Sequence, residues 1–263
     1  MIVFLKLGGS LITNKDRAYT LRPEKLDDLV AQIASAMKEH PELQLILGHG
    51  SGSFGHQAAS QFGTRDGVTG WKAWRGFTEV WYQASALNRM VVESLHRAGL
   101  SVITLSPAAS ITTHDGKISR WDLYQLNITL QQGLLPVIHG DVVFDDKRGG
   151  TILSTEDIFV YLAGQLHPSR ILLAGMEAGV WEDFPARTKL ISELTPQNWG
   201  ELSSGLGRSV STDVTGGMQT KVTAMLNLVE HAPSLEVLIF SGEKPDNVRN
   251  ALAGAMPGTR IHC

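Results

Sequence analysis

The sequence predicts an α/β protein built on a parallel sheet, and three observations carry that prediction. Short apolar runs at 2–7, 43–47, 134–139 and 170–174 each lead straight into a glycine. Between them lie stretches whose apolar residues recur at helical spacing. Strand, glycine turn, helix and strand repeated in this way place the turns together at the carboxyl edge of a parallel sheet. A chain of 263 residues, 43% of them hydrophobic, is long enough for one large domain or for two lobes sharing a sheet.

The elements follow in order. Ile2–Leu7 is a buried strand despite Lys6, and Gly8-Gly9-Ser10 forms a glycine loop at its end. Pro23 suits a first helical position, and Leu26, Leu29, Val30, Ile33 and Met37 share one face of a helix over 23–40. The strand at 43–47 enters Gly-His-Gly-Ser-Gly-Ser-Phe-Gly-His, residues 48–56, with a helix beginning near Ser53. Residues 64–78 read as a loop, and a long helix runs from Val80 to Ala98. Ser101–Leu105 is a strand; 107–121 is a connection with a short hairpin at Asp115-Gly116; Asp122–Gln132 is a helix. Leu134–His139 is a strand that ends in Gly140-Asp141, and 142–153 is a hairpin turning at Lys147–Gly150. Ser154 caps the next helix, with Asp157 at capping-box spacing. Arg170–Ala174 is a strand ending in Gly175, and 184–207 is loop-rich with a short helix after Pro196. A helix carrying Met218, Val222, Met225 and Val229 on one face follows, then a strand at 235–240, a helix at 245–255 and a closing strand at 259–262.

Composition excludes several classes. Net charge is −3 and no basic stripe occurs, so nucleic acid is not an expected partner. No apolar segment approaches the ~20 residues that span a bilayer. The first residues have no basic n-region and no small-residue cleavage site. The single cysteine, Cys263, excludes an internal disulfide framework and points to the cytoplasm. No Cys/His cluster has metal-ligand spacing.

The glycine loops carry the chemistry. Glycines allow positive φ and close approach of a ligand to the main chain, and a strand that runs through such a loop into a helix can hold a phosphate. Gly50, Gly52 and Gly55 also spell G-x-G-x-x-G. A dinucleotide fold would need a further strand ending in an acidic residue about 20 residues on; an aromatic, helix-like stretch at 70–83 stands there instead. Lys6 and Lys15 flank the first loop. Lys221 stands in a first helical turn just after Gly216-Gly217, where the helix dipole disfavours a cation by up to about 1 kcal/mol, so an anion beside it is the natural reason for its presence. Asp141 and Asp213 could support the lysines or a metal. Trp71, Trp74, Phe77, Trp81 and Tyr82 read as core, as a dimer face, or as a wall for an apolar substrate tail. Three lysines beside glycine turns suit phosphoryl transfer, which needs alignment and positive charge more than covalent work.

Lys6–Lys15 (KLGGSLITNK), Gly48–His56 (GHGSGSFGH), Gly140–Val142 (GDV) and Ser211–Lys221 (STDVTGGMQTK) resemble the amino acid kinase superfamily and, within it, are most similar to the isopentenyl phosphate kinase family. The resemblance spans the whole chain. It implies a three-layer αβα sandwich in a single domain, with an acceptor lobe over about 1–150 and a nucleotide lobe over about 151–263. It implies ATP, Mg²⁺, direct transfer to an isoprenoid monophosphate, and a homodimer. Carried over residue by residue, Lys6, Gly8, Gly9, Ser10, Gly52, Gly175, Trp181, Gly216, Gly217 and Lys221 would hold ATP. Lys15 would stabilise the transferring group. Ser51, Gly55, His56 and Gly140 would hold the acceptor phosphate, and a histidine beside a dianion gains a proton readily. His49 has no assigned role beyond the structure of its loop. Where relatives read close to T-D-V-D-G-V-Y, this chain has Gly-Met-Glu-Ala-Gly-Val-Trp at 175–181, expected near base and ribose; Trp181 suits either base stacking or core packing. Alternatives are a kinase of another small phosphate or phosphonate (similar to fosfomycin kinases), a non-catalytic sensor on the same fold, and an NAD(P)-dependent oxidoreductase using 50–55.

Overall fold

The computed structural model describes residues 1–205 and 217–263. Its first half runs β1 (Ile2–Leu7), α1 (Gly9–Ile12), α2 (Pro23–Glu39), β2 (Gln44–His49), α3 (Gly52–Phe62), α4 (Gly70–Arg97), β3 (Val102–Thr104), α5 (Pro107–Ser110), β4 (Ile111–His114), β5 (Lys117–Trp121), α6 (Tyr124–Gln131) and β6 (Leu135–His139). The remainder runs β7 (Asp141–Asp145), β8 (Gly149–Leu153), α7 (Thr155–Leu166), β9 (Arg170–Gly175), β10 (Val180–Trp181), β11 (Leu190–Ile191), β12 (Glu193–Leu194), α8 (Pro196–Gly205), α9 (Gly217–His231), β13 (Glu236–Ser241), α10 (Asn247–Leu252) and β14 (Thr259–Ile261).

Eight strands form one sheet in the order β12-β14-β13-β9-β1-β2-β6-β3. Its central pairs are parallel, and β14 runs antiparallel to β13. Side chains alternate across a strand, and β1 divides two cores accordingly. Val3, Leu5 and Leu7 pack with α2, α4 and α10 on one face. Phe4 packs with α6, α7 and α9 on the other. These are the three layers expected. The sheet is continuous through both halves of the chain, since β1 pairs with β2 on one side and β9 on the other. Among the described residues no helix is long and apolar enough to cross a membrane.

A second, four-stranded sheet in the order β5-β4-β7-β8 joins the two predicted hairpins. Asp115 and Gly116 turn the first of them with φ of +50° and +79°, the left-handed pair that a two-residue hairpin turn demands. The Ser154 capping box forms as expected: the Asp157 N–H donates to Ser154 Oγ at 3.1 Å, and the Ser154 N–H donates to Asp157 Oδ2 at 2.9 Å.

Three expectations need correction. The loop read over 64–78 is helical from Gly70, so α4 begins ten residues earlier than Val80. Its N-terminal turns are amphipathic only through Phe77 and Gly76, and Gly76 lies so close to the Phe62 ring that a Cβ could not fit there; exposed Trp71 and part-buried Trp74 masked the period. Residues 9–12 form a helical turn rather than an open loop, with Leu11 and Ile12 buried beneath it. The helix read over 245–255 is confined to Asn247–Leu252, because Asp246 ahead of it takes φ +58°. The short strands β10, β11 and β12 lack any alternation long enough to see in the sequence.

Candidate active site

The carboxyl ends of β1, β2, β6 and β9 open into one cleft of about 340 Å³. Lys6, Gly8, Gly9, Ser10 and Lys15 line it, as do Ser51, Gly55, His56 and Gly140, and Gly175, Trp181, Gly217 and Lys221. Gly52 does not line it; it is buried beneath. Gly216 and Asp213 lie outside the described residues.

The two glycine loops are packed on each other. A Cβ on Gly9 would run into the backbone of Gly52, and one on Gly52 (φ +47°) would meet the Thr13 hydroxyl and Gly9. The Thr13 hydroxyl donates to Gly9 O at 2.8 Å and accepts from the Ser53 N–H at 3.0 Å, while the Gly50 N–H donates to Leu7 O at 3.0 Å. The N–H groups of Ser53 and Gly50 are thus used to join the loops. A Cβ on Gly55 would run into the Ser51 side chain, so the glycine makes room for that hydroxyl at the cleft.

Lys6 follows from strand parity. It shares the face of Phe4, the face covered by α7. There it meets Glu156 in the first turn of α7 and forms an ion pair with it. Lys221, from α9, reaches the same carboxylate at 3.6 Å. The side chains of Lys6 and Glu156 are 12% and 15% exposed. Burial pushes the Lys6 ammonium down, opposed by Glu156 and reinforced by Lys221. Burial also works against the charge on Glu156, yet the two lysines outweigh it and hold its pKa at about 2. Glu156 was missed in the sequence, where its neighbour Asp157 stood out as the capping residue. Its signal was a second acidic side chain in a first turn directly after a strand-end loop.

Asp141 supports no lysine. It is buried, accepts from the Val142 N–H at 2.8 Å, and has His139 Nε2 3.4 Å from its other oxygen. His49, at the end of β2, is fully buried and stacks on His139 with ring centroids 5.4 Å apart. Its Nε2 pairs with Asn88 Oδ1 of α4 at 3.1 Å, and burial together with His139 pushes its pKa down to about 4. A neutral, buried His49 fits the structural role expected of it.

Lys15 is exposed, on a loop whose base is closed by a bridge between Thr13 and Leu21. His56 stands on α3 at the cleft wall. Beyond it the cleft is lined by Ala59, Val80 and Ile152, with Arg65 beside them. The five aromatics at 71–82 are not part of that lining. Trp74 and Phe77 pack edge-on at 5.2 Å and against Phe144, whereas Trp71, Trp81 and Tyr82 face solvent. The apolar-wall reading moves to Val80, one helical turn after Phe77. Trp181 lines the opposite end of the cleft, and its indole N–H donates to Glu177.

A cleft with paired glycine loops and three lysines suits phosphates, and comparison with known proteins identifies the family. Residues 1–241 match the model of the amino acid kinase family. The chain belongs to that family. It is 32% identical to isopentenyl phosphate kinase of Methanocaldococcus jannaschii over 99% of this chain and 98% of that one. It is 34% identical to isopentenyl phosphate kinase of Haloferax volcanii with the same coverage. Among solved structures, an isopentenyl phosphate kinase superposes with a TM-score of 0.83 at 27% identity, covering 99% of this chain and 100% of that chain. Family membership makes this chain a small-molecule kinase and sets aside the dinucleotide-dependent reading of residues 50–55.

Proposed function

We propose that the chain transfers the γ-phosphoryl group of ATP directly to isopentenyl phosphate, giving isopentenyl diphosphate. The observation that carries the reading is the convergence of Lys6, Lys15 and Lys221 on one cleft that has His56 and an apolar end across from them. Two phosphate-bearing reactants repel, since a phosphate monoester holds roughly −1.5 to −2 charges at neutral pH. Positive charge on both sides of the reacting phosphorus answers that repulsion.

In this reading Lys6 and Lys221 bind the β- and γ-phosphates, with Gly8, Gly9, Ser10 and Gly217 along the same path. An oxygen of the acceptor phosphate attacks the γ-phosphorus in line, the bond to the β-phosphate oxygen breaks, and ADP leaves. Lys15, on its exposed loop, stabilises the charge of the transferring group. His56 holds the acceptor phosphate beside Ser51, Gly55 and Gly140, and Val80 with Ile152 receives the isoprenoid tail. Gly175 and Trp181 mark the adenosine end. The lobes thus divide at about residue 150, although Lys6 to Ser10 serve the nucleotide from the first.

Among the described residues no group of three or more His, Cys, Asp or Glu side chains stands together to cage a metal. Mg²⁺ fits as an ion carried by the nucleotide, since it keeps its waters and binds phosphate oxygens readily; bound there it would neutralise charge between the two reactants. A cytoplasmic homodimer is the setting we infer, with exposed Trp71, Trp81 and Tyr82 on α4 as the apolar surface that pairing would cover.

A coupled ADP-release assay with Mg²⁺ tests the reading, comparing isopentenyl phosphate, geranyl phosphate and fosfomycin at equal concentrations. Turnover should be strongest with isopentenyl phosphate. Preference for fosfomycin would overturn the acceptor, and turnover with none of the three would overturn the reaction.

A further inference from the structure

Residues 175–181 lead from the end of β9 into β10 along the end of the cleft lined by Gly175 and Trp181. They include one carboxylate, Glu177, that the phosphate chemistry leaves unused. Its Oε2 accepts from Trp181 Nε1 at 2.9 Å and from Arg187 Nε at 2.9 Å, and its Oε1 accepts from Arg187 Nη2 at 2.8 Å. Arg187 sits in the loop between β10 and β11, at φ +57°, with its guanidinium 4.8 Å over the Phe184 ring. Asp183 ties the same loop by accepting from the N–H groups of Thr188 and Lys189, each at 3.1 Å. Glu177, Trp181 and Phe184 all line the cleft.

Stability does not account for this arrangement. Arg187 is 46% exposed, and a solvent-exposed ion pair contributes little to folding. What a two-pronged guanidinium–carboxylate pair does supply is orientation. Here the same carboxylate also takes the indole N–H, the one polar atom of Trp181. With that atom bonded, the ring's orientation is set and its apolar face is left for a ligand.

We propose that Glu177 is a positioning residue for the nucleotide: it joins Trp181 and Arg187 into one clamp, against which the base and ribose are laid. The proposal rests on the kinase reading, and it assigns to Glu177 a task of binding rather than of chemistry. The charge of Lys15 also reaches Glu177. The competing role is therefore to place the Lys15 loop, and kinetics separates the two.

The experiment measures ATP·Mg²⁺ binding by calorimetry without acceptor, and steady-state kinetics with it, for the wild-type chain, Glu177→Ala, Glu177→Gln and Arg187→Ala. Loss of charge-assisted hydrogen bonds should weaken ATP binding about tenfold in Glu177→Ala. The KM for ATP should rise by the same factor, with kcat and the acceptor KM within about twofold of wild type. Arg187→Ala should follow the same pattern, and Glu177→Gln, which still accepts one bond, should recover part of the loss. A fall in kcat with ATP affinity unchanged would overturn the proposal in favour of Lys15 placement. Unchanged binding and kinetics in all three variants would overturn it outright. A wild-type chain that binds no ATP would defeat the kinase reading itself, and the clamp with it.

Discussion

Asp145 and Glu156 are both largely shielded from solvent and held ionised, and they differ in what holds them. Asp145, at the end of β7, accepts from the Thr113 hydroxyl at 2.7 Å and from the N–H groups of Asp115, Gly116, Lys147 and Arg148 at 2.7–3.2 Å. It fastens the turns of the small sheet to each other. Glu156 is held by Lys6 and Lys221, and those lysines face an open cleft. Burial opposes both charges; backbone amides and a hydroxyl overcome it for Asp145, and ammonium groups overcome it for Glu156. Backbone donors have no other partner to move to. Ammonium groups can exchange a carboxylate for a phosphate. A depressed carboxylate pKa therefore marks a working site only where its partners are cations that line an opening.

The largest effects belong to the cleft. Lys15→Ala should lower kcat by about 10³-fold or more, the scale of losing a cation that stabilises the transferring phosphoryl group, with ATP affinity changed only a few-fold. Equal losses in both would assign Lys15 to ground-state binding. Glu156→Gln should lower kcat by about 10²-fold, because the two lysines lose the charge that spaces them, while ATP binds more tightly, since its phosphates no longer displace a carboxylate. It sharpens the comparison further: without ATP the variant should melt below wild type, and ATP should raise its melting temperature by more than it raises that of wild type. An equal ATP-induced shift in both would show that nucleotide phosphate does not take the place of this carboxylate.

Much of this was legible in the sequence. The glycine turns ending apolar runs gave away the parallel sheet, since only backbone-to-backbone contact of the kind seen between Gly9 and Gly52 demands glycine on both loops. Lys6 stood out because a cation in an apolar strand needs a reason. Its partner did not, because reading Glu156 requires knowing that α7 covers the face of the sheet that Phe4 and Lys6 share. The cage around Asp145 was equally hidden, since its donors come from turns about 30 residues apart. Of the three readings of the aromatics at 71–82, the apolar wall fails, since the cleft is lined instead by Val80, one helical turn after Phe77. Glu177 lay in the very stretch seen to depart from its relatives, but its partner Arg187 is ten residues on, across a hairpin too short to show a strand pattern.

At the small sheet the effects are smaller and confined to stability. Asp145→Ala leaves four backbone N–H groups without an acceptor, the Thr113 hydroxyl keeping Phe144 O, and should cost about 2–4 kcal/mol in chemical denaturation. At temperatures where it remains folded, its KM values should match wild type, and ATP should raise its melting temperature only as much as it raises that of wild type. A selective rise in the acceptor KM would instead tie the small sheet to the cleft through β7, which begins at Asp141.

The smallest effect separates charge from hydrogen bonding. Asp145 has its pKa lowered on folding, so its ionised form stabilises the native state above the unfolded carboxylate pKa near 4. That contribution is lost as pH falls from about 4 through the lower folded value, because the native state must then take up a proton it resists. Asp145→Asn retains an oxygen acceptor but carries no charge to titrate. Measured by denaturant unfolding between pH 7 and pH 2, the variant should be less stable than wild type by about 1–2 kcal/mol at neutral pH. The gap should narrow steadily below pH 4 as wild type loses what the variant never had. A gap that stays constant across that range would mean that shape and hydrogen-bond count, not the charge of Asp145, hold the two turns together.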